Sequence, residues 1–185
     1  MKNGDLMKIK TKDMILCSMF SALMCIFAPV TVPIGVVPVT LGVFIVIFAS
    51  VVLGAKKSLI SVGVYLILGA VGLPVFSFGK AGFPALFGIT GGYLWSYIPM
   101  CVVCGYISSK VSGRFEFFYA FAGSLSSLCI CYLCGTIQYA CIGSCSFYQA
   151  FSVCVMPFVL IDIVKCFVGT MLGMKIRKKL VKELT

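Results

Sequence analysis

The chain has no histidine, and only five of its 185 residues are acidic. Without an imidazole, a serine–histidine relay cannot form, and the side chain that usually titrates near neutral pH is missing. Between the terminal segments the carboxylates reduce to Glu116 and Asp162. Glu116 is expected at the cytosolic edge and Asp162 in the outward half, so they make no paired acid and base of the glycosidase kind. A zinc centre is disfavoured on the same grounds. The two C-x-x-C pairs, Cys101/Cys104 and Cys131/Cys134, stand 26 residues apart inside apolar runs and do not resemble a compact four-ligand site. No G-x-x-x-x-G-K-[ST] stretch occurs, so ATP has no P-loop to bind. No A-x-A cleavage site closes the first apolar run, which is read as a retained helix. Repeats and low-complexity tracts are absent too.

What the chain has in excess is apolar surface. Hydrophobic residues make up 61% and charged residues 11%, and the mean hydropathy is +1.14. Soluble domains run at about half apolar and a quarter charged, and a water-soluble fold of this size cannot hide so much apolar surface. The class is therefore an integral membrane protein. Eleven cysteines lie mostly within the apolar runs, where a free thiol acts as a small hydrophobe. This suits a reducing setting better than a disulfide scaffold. A membrane thiol oxidoreductase remains an alternative reading of the C-x-x-C pairs, but it would need thiolates, which are costly inside apolar helices.

Six runs are long and apolar enough for spanning helices, roughly 14–30, 38–55, 58–75, 90–109, 115–138 and 152–174. Pro29, Pro33 and Pro38 mark the first break and Lys56–Lys57 the second. "GLPVFSFGKAGFPALFGITGG" makes a long third break, "SKVSGR" the fourth and "CIGSCS" the fifth. The net charge of +10 follows the same division. With both termini inside, the inner segments hold 13 of the 15 basic residues (Lys2, Lys8, Lys10, Lys12, Lys56, Lys57, Lys110, Arg114, Lys175, Arg177, Lys178, Lys179 and Lys182), the asymmetry expected of cytoplasmic loops. There is no basic–aromatic platform for nucleic acid. The third loop carries Phe76, Phe78, Phe83 and Phe87. So apolar a loop is expected to fold back as a lid or re-entrant segment. The predicted fold is all-α, a single integral-membrane domain of six transmembrane helices with cytoplasmic termini. Ser18/Ala22 and Gly169/Gly173 are small-x-x-x-small pairs that allow close helix approach.

Two charges break the last apolar run. In "FVLIDIVKCFVG", Asp162 and Lys165 are three residues apart and share a helix face. An ion at mid-membrane costs about 2.5–3.5 kcal/mol on insertion scales. Snorkelling offers little relief, because Lys165 is about 15 Å of helix from the basic cluster at Lys175. Either the two ions pair to lock the helix in place, or they line a polar cavity that holds a solute; intramembrane ions usually mark such paths. Lys165 suits a carboxylate or carbonyl and Asp162 suits N–H groups. With an apolar cover from the third loop, the ligand would be small and mostly apolar, with N–H donors and an anionic or carbonyl end.

The chain resembles the BioY family, the biotin-binding S components of energy-coupling factor vitamin transporters. The resemblance rests on "GxxGLPVF" (Gly69 to Phe76), "G-x-TGGYL" (Gly88 to Leu94), "VPVTL" (Val37 to Leu41), "LGAKK" (Leu53 to Lys57) and "DIVK" in the last run, in the family's order. It implies six spanning helices and a biotin pocket near the outer surface. Asp162 and Lys165 would lie in the pocket, covered by Thr90, Gly91, Tyr93 and Phe76, with Lys80 at the loop. Biotin fits the ligand inferred from residue chemistry through its ureido N–H and C=O groups, its bicycle and its carboxylate. The resemblance further implies no cofactor in this chain, and docking on a transmembrane coupling subunit with two ATPases that hydrolyse ATP. Ser18 and Ala22 would face that subunit, in a bacterial cell membrane. Ile89 stands where the family usually has proline, and Gly42 where it has a polar residue. A scaffold shared with S components for other vitamins keeps those as an alternative.

Overall fold

The computed structural model describes residues 11–33, 39–110 and 113–184. Seven α-helices occur among them: α1 (Thr11–Phe27), α2 (Gly42–Val71), α3 (Phe83–Phe87), α4 (Gly91–Lys110), α5 (Glu116–Gly143), α6 (Phe147–Cys154) and α7 (Val159–Leu184). A small antiparallel hairpin pairs β1 (Thr31–Val32) with β2 (Val39–Thr40), with Thr31 opposite Thr40. By length and apolarity α2 and α5 can each cross a membrane, and α6 with α7 can do so as a bent pair. Of the positions singled out above, Lys2, Lys8, Lys10, Val37 and Pro38 lie outside the described residues, as does the side chain of Lys182.

The boundaries differ from the expected spans in two places. The second and third runs are not parted by a loop at Lys56–Lys57. They form the single run α2, broken at Gly54, whose φ of 73° and ψ of 174° leave the helix. A side chain is strained at that φ, so glycine sets the break and the two lysines follow it. Across from this break, α4 approaches so closely that a Cβ on Gly105 would strike the backbone of Ala55. The last run is also divided. The chain bends by 57° between α6 and α7, at Val155–Phe158. Pro157 in this stretch has no N–H to continue a helix, and it disfavours the helical conformation of the residue before it.

Polar side chains hold the helices together by bonding to carbonyls. Ser21 of α1 donates to the Ser61 carbonyl (3.0 Å), and Ser61 donates back to the Cys17 carbonyl (3.1 Å). Ser124 of α5 meets Thr170 of α7 at 3.1 Å. Such bonds suit an apolar medium, where helices gain nothing from burying grease against grease. Gly169 and Gly173 of α7 face Phe44, Ile47 and Val51 of α2, so that pair is a helix contact. Ser18 and Ala22 behave differently and point away from the bundle, both exposed.

One end of the bundle collects the charges. Lys57 pairs with Asp13 (2.6 Å), Lys178 with Glu116 (3.2 Å), and Arg177 donates to the Ser108 carbonyl at the end of α4 (2.5 Å). The start of α1, the break in α2, the end of α4, the start of α5 and the last turns of α7 therefore meet there. This grouping agrees with the charge division in the sequence.

Gly105→Val is expected to force α4 off the Gly54 break, because backbone at Ala55 cannot yield as a side chain would. A loss of stability of about 1–3 kcal/mol should appear as a lower melting temperature in detergent.

Candidate functional site

Asp162 lies in the first turn of α7, which the bend after α6 places inside the protein. Lys165 follows one turn later. Their side chains are only 10% and 11% exposed, and Nζ is 2.8 Å from Oδ1. Each ion has further partners. The Tyr132 hydroxyl, from α5, donates to Asp162 Oδ2 at 2.7 Å. Lys165 donates to the Thr40 carbonyl of β2 at 2.9 Å. The start of α7 also favours a carboxylate, because the positive end of the helix dipole lies there. Among the described residues two of the three ammonium hydrogens are thus engaged.

These groups open into a cavity of about 710 Å³, its solvent-open mouth included. It is lined by Asp162, Lys165 and Tyr132 and by Tyr93 and Tyr97 of α4. The third loop lines it as well. There the chain makes a 3-10 turn at Ser77–Gly79 and then α3. Phe76 and Ala85 present apolar surface to the cavity, and Thr90 a hydroxyl-bearing side chain. The loop is tied down at several points. The Gly82 N–H donates to the Gly69 carbonyl (2.7 Å), the Tyr65 hydroxyl to the Val75 carbonyl (3.2 Å), and Phe76 meets Tyr65 edge-on at 5.6 Å. Gln138 of α5 holds the far end, donating to the carbonyls of Leu86 (3.2 Å) and Gly88 (2.8 Å). The arrangement can take a ligand with an apolar body that exchanges hydrogen bonds with an ion pair at its base.

With this geometry in view, the comparisons with known proteins decide the family. The model described as "BioY family" matches residues 1–182. The chain belongs to the BioY family. Among its relatives, the "Biotin transporter BioY" of Thermotoga maritima is 34% identical over 90% of this chain and 96% of its own length. The "Probable biotin transporter BioY" of Pyrococcus horikoshii is 35% identical over 91% and 98%. In structure, the chain is similar to the S-component for biotin from an ECF-type ABC transporter, with a TM-score of 0.85, 24% identity, and coverage of 96% and 95%. The BioY fold is thus shared nearly end to end.

Of the residues named from the sequence, six meet at one cavity: Asp162, Lys165, Tyr93, Thr90, Phe76 and Lys80. Tyr93 spends its hydroxyl on the Cys154 carbonyl at the end of α6 (3.3 Å) and presents its ring to the cavity. Lys80 is exposed at the mouth. Gly91 is not among the residues that line the cavity. A Cβ there would strike the Leu86 carbonyl and the Gln138 amide, so this glycine lets the loop seat on α4 and α5. Tyr132, Tyr97, Gln138 and the Thr40 carbonyl were missed. A tyrosine in an apolar run carries no signal of its partner, and a carbonyl carries none at all. The cysteines of the C-x-x-C pairs are unbridged; Cys101, Cys104 and Cys131 are buried within their helices. Cys131 also forms part of the cavity wall.

Lys165→Met leaves Asp162 with a tyrosine and a helix terminus but no cation. The expected loss is up to about 3–5 kcal/mol, lessened by water entering the cavity. Adding Asp162→Asn should recover most of that loss. Thermal denaturation of both variants checks this.

Proposed function

We propose that this protein is the biotin-binding S component of an energy-coupling factor transporter, a transport subunit rather than an enzyme. The observation that carries the reading is the buried Asp162–Lys165 pair at the base of a cavity roofed by an apolar loop, in a chain of the BioY family. Biotin is small and mostly apolar, with ureido N–H and C=O groups and a carboxylate. Asp162, Lys165, Tyr93, Thr90, Phe76 and Lys80 are the residues proposed to meet it.

The chain crosses a bacterial cell membrane six times in this reading. The six segments are α1, the two parts of α2, α4, α5 and the α6–α7 pair. Both termini are cytoplasmic, and the cavity opens outward, at the end of the bundle opposite the Lys57, Arg177 and Lys178 contacts. Support comes from the gathering of basic side chains at one end and from the preference of basic residues for the cytoplasmic side. Biotin enters from outside, and the loop from Phe76 to Thr90 covers it. Release inside depends on a transmembrane coupling subunit and two ATPases that hydrolyse ATP. Ser18 and Ala22 are proposed to meet the coupling subunit, since both are exposed on an outward face of α1 beside Ile15, Met19 and Ile26. Small residues there would let a partner helix come close.

Calorimetry of the purified protein tests the ligand. Biotin should bind tightly and riboflavin and thiamine should not, and Lys165→Ala should weaken biotin about 10–100-fold, the worth of a hydrogen bond to a charged group. Equal affinity for all three vitamins would end the assignment. Ala22→Trp should abolish co-purification with the coupling subunit while biotin affinity stays at the wild-type value; unchanged co-purification would remove α1 from the docking surface.

A further inference from the structure

Tyr132 occupies a position that neither motif nor charge marks. Its hydroxyl reaches Asp162 Oδ2 at 2.7 Å, and its side chain forms part of the polar cavity wall. The same side chain also lines a second void. This is an open apolar groove between α5 and the α6–α7 pair, walled by groups such as Leu128, Leu133, Phe151 and Ile163. Leu133 and Ile163 are exposed on that face, where hydrocarbon would surround a spanning bundle. One aromatic side chain therefore belongs to both an ionic site and an apolar groove.

We infer that Tyr132 is a positioning residue and the partition of the site. Its hydroxyl holds the Asp162 carboxylate in the orientation that receives the ligand, and its ring keeps the hydrocarbon-side groove from merging with the cavity. The physical need for both tasks is plain. A carboxylate beside an apolar groove must have its oxygens satisfied, or it loses more in desolvation than it gains from Lys165. One oxygen has Lys165 and the other has Tyr132. Fixing both leaves the remaining lone pairs aimed in set directions, which is how a site rejects a ligand lacking matching N–H groups. A tyrosine suits the dual position, with an apolar ring toward the groove and a polar tip toward the ion.

The inference rests on the biotin-binding reading, and biotin titration of the whole protein separates the two. Tyr132→Phe keeps the ring and removes the donor; biotin affinity should fall about 10–100-fold. In an Asp162→Asn background the same substitution should have little effect, because the hydroxyl acts through the carboxylate. Tyr132→Ala should bind more weakly still than Tyr132→Phe, and Tyr132→Leu, which refills the wall, should recover to the level of Tyr132→Phe. A Tyr132→Phe protein that binds like the wild type, or that loses the same factor with and without the Asp162 carboxylate, overturns the positioning role. Equal affinity of the Ala and Phe variants overturns the partition. A wild-type protein that does not bind biotin overturns the functional reading and the inference together.

Discussion

Two opposite charges set 2.8 Å apart and nearly cut off from solvent constrain everything around them. In a medium without free water, neither ion is tolerable alone, and the pair is tolerable only when its remaining hydrogen-bonding capacity is met. The surrounding structure meets it from three directions. α5 brings a hydroxyl, β2 brings a carbonyl, and the start of α7 adds the positive end of its helix dipole. The small hairpin carries the Thr40 carbonyl, and the bend before α7 sets Asp162 in the first turn of a helix.

The cover of the cavity depends on a different physics. Its loop is apolar, yet it makes only a short 3-10 turn and a five-residue helix. Such pieces have little stability of their own. They are held by carbonyl bonds from Gly82, Tyr65 and Gln138 to or from the surrounding helices, and by the edge-on packing of Phe76 on Tyr65. Gly91 belongs to this support. The loop can reach α4 and α5 because no side chain stands in the way.

The far end of the bundle is built from longer-range charge. Asp13, Glu116 and the Ser108 carbonyl each take a basic partner, and these contacts join the ends of four helices. Lys178 is well exposed and Lys57 half-buried, so their pairs add little to stability. They gather at the last turns of α7, whereas the Asp162–Lys165 pair lies at its start, so the two sets of charges are held apart by the length of one helix.

Composition, charge distribution and motif order alone determined that the chain is a helical membrane protein, which basic segments lie together, and that Asp162 and Lys165 share a face. These are legible because they depend on hydrocarbon transfer and helical spacing, which are local in the chain. The sequence also marked Tyr93, Thr90, Phe76 and Lys80, through a stretch whose residues are close in the chain as well as in space. Only the tertiary structure decided that the break in α2 falls at Gly54, that α6 and α7 part at a bend, and that Gly91 stands against the Leu86 carbonyl and the Gln138 amide. It alone brought Tyr132 to Asp162 across 30 residues and the Thr40 carbonyl to Lys165 across 125. Those contacts are made by a solitary tyrosine and a backbone oxygen. Neither leaves a pattern in the order of residues, because what selects them is the geometry of an ion that must be satisfied once the helices have closed around it.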